Sequence, residues 1–350
     1  MRSRRGFIGT VAALAAATSF EQGGTAEPKA QPGSTAEPKA QPGGTAEPKP
    51  QPGTTPEPKA PPAGPRLTGL VDAHVHVWTP DTVRYPLAAG FTVADMQPPS
   101  FTPDELLAAC RPHGVARVVL IQMSFYGTDN SFMLDAIAAR PGVFSGVAVV
   151  DHDRAGVAAT MKDLAAKGVR GFRLLAGRDV ADVWGRSAGI DEAWRCGADE
   201  SLAMCLLADP ESLPAIHERC RRFPRTPVVI DHVARIGMRG PVADRDVDAL
   251  LRLAELPGTA VKVSAFYALG AKKPPYDDLA PLVRRLRDGF GADRLMWATD
   301  CPYQLGTGHG YGESIALVRD RLDFLSDAER AKILRDTATR VFFRGIPAPG

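Results

Sequence analysis

Two histidines one residue apart, in Asp72-Ala73-His74-Val75-His76, follow directly on the apolar pair Leu70-Val71. Side chains alternate faces along a strand, so His74 and His76 project to one side. Two imidazoles on one face at a strand end can grip a divalent metal or donate hydrogen bonds to one substrate oxygen. Far downstream, Leu295-Met296-Trp297-Ala298-Thr299-Asp300-Cys301-Pro302 closes another apolar run with an aspartate. A carboxylate held there can act as general base. A first-strand His-x-His facing a last-strand Asp points to hydrolysis.

Other polar residues also end apolar runs. Arg173, in Gly171-Phe172-Arg173-Leu174-Leu175, is a charge inside a strand and needs a partner, such as a substrate carboxylate or a neighbouring Asp. Arg178 lies just beyond it as a second substrate contact. His232 follows Ile230-Asp231 and can polarise a carbonyl or ligate a metal. Ser124 and Tyr126 lie in a polar loop and are expected to face the substrate, whereas Thr128 and Asp129 suit a helix cap. Lys262 suits equally a catalytic role or a salt bridge in the lower half of its strand, and is left out of the site. His309, among the glycines of Gly306–Gly312, suits a mobile loop. His113 and His217 read as surface residues of helices, and His152 as a loop start. No Gly-x-Ser-x-Gly occurs, which argues against a serine-nucleophile hydrolase.

Positioning these residues takes alternating elements. Strands are expected at Leu70–Val77, Val115–Gln122, Val143–Val150, Val169–Leu175, Leu202–Leu207, Val228–Ile230, Ala260–Ser264 and Arg294–Ala298. Between them, helices are expected from Thr102 onward and at Asp129–Arg140, Gly156–Ala166, Pro210–Arg222, Asp246–Glu255, Asp277–Asp288 and Ser326–Asp336. Eight β units alternating with α units predict a (β/α)8 TIM barrel, whose chemistry lies at the C-terminal strand ends. An open doubly wound sheet is the alternative, but its Gly-rich phosphate turn is missing after strand one.

Residues 67–350 supply that barrel. Arg4-Arg5 followed by an apolar, alanine-rich stretch reads as a twin-arginine signal over residues 1–20, predicting export to the periplasm. Its apolar part is too short to span a bilayer. Residues 21–66 repeat Thr-Ala-Glu-Pro-Lys-Ala-Gln-Pro-Gly with a period of ten; without large apolar residues they cannot bury a core and read as a disordered linker. The net charge is +2, with no basic stripe to attract nucleic acid. A small molecule is the expected partner. Five scattered cysteines without C-x-x-C exclude a zinc ribbon but allow one disulfide.

These stretches, together with Gly127–Ile137, Gly146–Asp151, Gly168–Arg173, Val229–His232 and Trp297–Asp300, resemble in type and order the amidohydrolase superfamily. Within it they are most similar to the branch of pyrone-dicarboxylate and sugar-lactone hydrolases. The resemblance implies a lactone hydrolase in which Asp300 deprotonates water, while His74, His76, His232 and Arg173 hold and polarise the substrate. It implies at most one divalent ion, zinc or manganese, on His74, His76 and Asp300, and leaves metal-free catalysis open. Two departures argue against a two-metal centre: strand four carries Arg173 where a bridging ligand is common, and strand five, Ala203–Ala208, has no histidine. Strand seven lacks an arginine expected for a dicarboxylate substrate, and Cys301 replaces a common aromatic residue. A metal-dependent decarboxylase of the same superfamily and a non-catalytic ligand-binding barrel are the other readings.

Overall fold

The computed structural model describes residues 67–349; the expected signal and repeat linker lie outside them. Eight parallel strands form one sheet in sequence order: β1 (Leu70–Val75), β2 (Val115–Ile121), β3 (Phe144–Ala148), β4 (Val169–Ala176), β5 (Ala203–Ala208), β6 (Val228–Ile230), β7 (Thr259–Val263) and β8 (Leu295–Trp297). The sheet closes where β1 and β8 end, through a parallel bridge between Val75 and Cys301. The His76 amide donates to the Cys301 carbonyl at 2.8 Å, and the Asp300 amide to the His74 carbonyl at 2.9 Å. The closure therefore lies within the two segments that carry His74, His76 and Asp300. It also ends β1 at Val75, two residues before the expected Val77, because His76 leaves β2 to pair with β8.

Two apolar layers hold the barrel. The outer one packs strands against helices, and every strand contributes to it. The inner one stacks Val71, Val119, Ile121, Val147, Val229, Ala260, Met296 and Ala298 inside the barrel. Its floor is Phe342 and Phe343, at the end of the last helix. Alternation then dictates the layer above. Ala260 is followed two residues on by Lys262, Val229 by Asp231, Ala298 by Asp300 and Gly171 by Arg173. The polar layer sits directly on the apolar one.

The helix expected from Thr102 runs Pro103–Cys110, with Thr102 and Glu105 forming a reciprocal cap. Two helices were not expected, Val180–Arg186 and Ile190–Glu200. The second buries Ile190, Ala193, Trp194 and Gly197, an i, i+3, i+4, i+7 stripe that was legible. All five cysteines are buried and free, which corrects the allowance for a disulfide. Among the described residues, no helix is long and apolar enough to cross a membrane.

Candidate active site

The centre is the Oδ1 of Asp300, at the C-terminal end of β8. His76 Nε2 lies 3.3 Å from it, His74 Nε2 3.5 Å and His232 Nε2 3.7 Å. Three imidazoles thus surround one carboxylate oxygen. Tyr267, which the sequence reading passed over, donates to the other oxygen, Oδ2, at 2.7 Å. Asp300 has φ +69, so the backbone holds this carboxylate in a left-handed turn that only the surrounding structure can enforce.

Each histidine is anchored behind its ring. His76 Nδ1 meets the Ile121 carbonyl at 3.0 Å, across β2. His232 Nδ1 meets Ser264 Oγ at 2.9 Å, beyond β7. His232 opens a run of four left-handed residues, His232 to Arg235, whose φ values are 51, 52, 53 and 56. Such a run costs roughly 1–2 kcal/mol per residue. That strain turns the chain sharply after β6 and leaves the ring at the barrel mouth.

His74 is anchored by a pair that the sequence reading left outside the site. Lys262 Nζ lies 3.1 Å from His74 Nδ1 in hydrogen-bonding geometry. The same ammonium lies 2.9 Å from Asp231 Oδ1, and all three side chains are fully buried. The Asp231 oxygens receive no well-aligned hydrogen bond, so charge rather than alignment holds this ion pair. Only the alternation of Ala260, Lys262 and Ser264 and of Val229 and Asp231 could have placed the pair beneath His74.

Burial alone would raise the Asp300 carboxyl, but His232, His76 and His74 outweigh it and hold the group well below the usual carboxylate range. Burial likewise works against Asp231, and Lys262 and His74 overcome it, leaving a carboxylate. His74 is pushed well below the usual imidazole value by burial, then by Lys262 and His232. His232 is also lowered, chiefly by burial. At neutral pH the centre therefore holds a charged Asp300 beside the uncharged rings of His74 and His232. Burial and the neighbouring Asp300 keep the Tyr267 hydroxyl protonated as a donor.

Arg173 reaches in from β4, its Nη1 3.4 Å from His74 Nε2. Its Nε is buried without a partner, an orphaned donor at the mouth of the site. The other expected substrate-binding residues make contacts of their own. The Arg178 side chain is 81% exposed and pairs with Glu211. The Tyr126 hydroxyl accepts from the Thr79 amide, and its ring packs on Phe125 and Phe132, which makes it a pillar of the loop after β2. Ser124 opens the same short turn, its carbonyl accepting from Gly127. Asp129 caps the next helix through the Ser131 amide. His309 is docked by the Tyr276 hydroxyl at 2.8 Å and lies beside Tyr267.

A divalent cation has a donor set here. His74, His232 and Asp300 each offer an atom, all within 4.8 Å of one another. This trio substitutes His232 for the His76 of the sequence reading, while His76 Nε2 stays close to the same oxygen. Two nitrogens and a carboxylate suit a single ion of the zinc or manganese type.

The sequence profile of the amidohydrolase family matches residues 71–344. L-fucono-1,5-lactonase of Burkholderia ambifaria is 29% identical over 79% of this chain and 96% of its own length. 4-Sulfomuconolactone hydrolase of Hydrogenophaga intermedia is 29% identical over 78% of this chain and 88% of its own length. A solved candidate 2-pyrone-4,6-dicarboxylic acid hydrolase from Pseudomonas putida superposes with a TM-score of 0.67 at 26% identity, over 80% of this chain and 100% of its own.

Proposed function

The chain belongs to the amidohydrolase family, and from that premise we propose that it hydrolyses lactones, opening a cyclic ester of a sugar acid or of a muconate- or pyrone-type acid. The observation that carries this reading is one carboxylate oxygen ringed by three imidazole Nε2 atoms at 3.3–3.7 Å, beside the orphaned Arg173 Nε. Asp300 takes a proton from water as the water oxygen attacks the lactone carbonyl. The carbonyl π pair moves onto oxygen, and the resulting oxyanion is held by imidazole N–H groups and Arg173. Collapse restores the carbonyl and breaks the ring C–O bond. The departing ring oxygen takes the proton back from Asp300, giving an open hydroxy acid.

The charge states decide where catalysis comes from. A carboxylate held far below neutral pH is a weak base. The donors around the oxyanion must therefore carry much of the rate, and one such donor contributes about 10²–10³ in kcat. A divalent ion on His74, His232 and Asp300 would polarise the same carbonyl and acidify the water. The metal-dependent decarboxylase and the silent barrel have no observation of their own in their favour.

Turnover on sugar-acid, muconate-type and pyrone-type lactones, measured with metal content before and after chelation, tests the reading. Asp300→Asn is expected to lower kcat by at least about a thousandfold while ligand still binds. No turnover on any lactone, or an Asp300→Asn variant as active as the parent, would overturn it. We also read residues 1–20 as a twin-arginine signal and 21–66 as a linker, which places the enzyme in the periplasm; replacing Arg4 and Arg5 by lysine should then retain the protein inside the cell.

A further inference from the structure

Both nitrogens of the His74 ring face cations. Lys262 lies at 3.1 Å from Nδ1 and Arg173 at 3.4 Å from Nε2. Ammonium and guanidinium groups only donate, whereas a neutral imidazole has one lone pair. One of the two cations must therefore face an N–H. The carboxylate of Asp231 lies 3.4 Å from Nδ1, farther than Lys262 and outside hydrogen-bonding geometry.

The local constraints choose between them. Lys262 is fully buried, pinned by Asp231 at 2.9 Å, and its ammonium lies 5.2 Å from the centre of the Phe342 ring on the barrel floor. It has no room to withdraw. Arg173 makes the longer contact and stands at the mouth with an unpartnered Nε. We propose, on the reading of the enzyme as a lactone hydrolase, that Lys262 is a positioning residue: it occupies His74 Nδ1 and so fixes the ring proton on Nε2.

The consequence is chemical. The His74 Nε2–H and the Arg173 Nη1–H then converge 3.4 Å apart, with Asp300 Oδ1 3.5 Å from the same Nε2. An arrangement of two facing donors is completed by an oxygen that accepts from both. The lactone carbonyl oxygen, and the oxyanion it becomes, is such an acceptor. The same proton opposes metal ligation through Nε2, because a histidine nitrogen must give up its proton to bind an ion. Lys262 thus biases this centre towards hydrogen-bond catalysis, although the donor atoms for a cation are present. Removing Lys262 leaves Asp231 as the nearest partner of Nδ1. The proton then moves to Nδ1, and Nε2 becomes a free ligand of the carboxylate–histidine–metal kind.

Nitrogen-15 NMR of the imidazoles in the full chain reads the tautomer without reference to turnover. His74 signals are assigned by their loss in His74→Gln. The expected result is Nε2–H in the parent and Nδ1–H in Lys262→Met. An Nδ1–H tautomer in the parent would overturn the proposal, and this holds even if the variant does not fold. An Nε2–H tautomer unchanged in a folded Lys262→Met would overturn it as well. In folded Lys262→Met, kcat is expected to fall about a hundredfold with KM nearly unchanged. Its zinc affinity, by calorimetry with zinc alone, is expected to rise at least tenfold. A lesion that merely loosened the site would weaken zinc binding, and weakened binding would refute the assignment. Failure of the lactone assays with an Nε2–H tautomer in place would sink the functional reading and leave the role of Lys262 standing.

Discussion

At the scale of single residues, the site separates the group that is charged from those that are not. Asp300 is held below the ordinary carboxylate range by the imidazoles that outweigh its burial, while burial keeps His74 and His232 below theirs. The sign for catalysis follows. A base with a depressed pKa stays ionised as pH falls, and imidazoles with depressed pKa values stay neutral. His74, His232 and Asp300 should therefore leave kcat/KM level from about pH 8 down to about 6, where the buried Asp72 carboxyl begins to protonate, and Asp300 itself is lost only in or below the carboxylate range near 4. A pH–rate profile that already falls between about pH 8 and 7 would refute this assignment of charges. Tyr267 refines the same picture. Its hydroxyl fixes Asp300 Oδ2, so Tyr267→Phe should free the carboxylate to rotate away from the histidines and lower kcat by about tenfold or more, with KM less affected.

At the scale of elements, the site depends on how the last strand meets the first. Asp72 is fully buried and accepts from the Thr299 amide at 3.0 Å, the Thr299 hydroxyl at 2.5 Å, the Tyr311 hydroxyl at 2.7 Å and the His74 amide at 3.2 Å. It ties the residue before Asp300 to the backbone of His74. Burial raises this carboxyl to about 6, with the four donors limiting the rise, so it remains mostly ionised at neutral pH. Asp72→Asn turns one acceptor oxygen into a donor facing other donors. It should cost about 2–4 kcal/mol in chemical denaturation and lower kcat without touching the substrate. A variant as stable as the parent would show that the knot does not hold β1 to β8. Much of this was legible. Eight apolar runs and their polar ends gave the strands and placed His74, His76, His232, Asp300 and Arg173 at one rim. Two things were not: Lys262 and Asp231 resemble any buried ion pair until the closed barrel sets them under His74, and Arg178 lies exposed and paired with Glu211.

At the scale of the whole molecule, the export proposed above would bring the enzyme into an oxidising compartment, a test that its thiols decide. Cys110, Cys196, Cys205, Cys220 and Cys301 are all buried and unpaired. Burial raises every one of these thiols, to about 12 at Cys110, Cys205 and Cys220. The thiolate is the reactive species, so these groups are both shielded and chemically quiet in the folded barrel. Folding then needs no disulfide, and stability comes from the two apolar layers and the β1–β8 closure. The melting temperature should be the same within about 1 °C with and without reductant. The 67–350 fragment should match the full chain, because the first strand begins at Leu70. A thiol reagent should titrate few or no cysteines in the native protein and five after unfolding. A reductant-dependent melting temperature, or fewer than five thiols in the unfolded chain without reductant, would mean that a disulfide forms and that the barrel is rearranged around it.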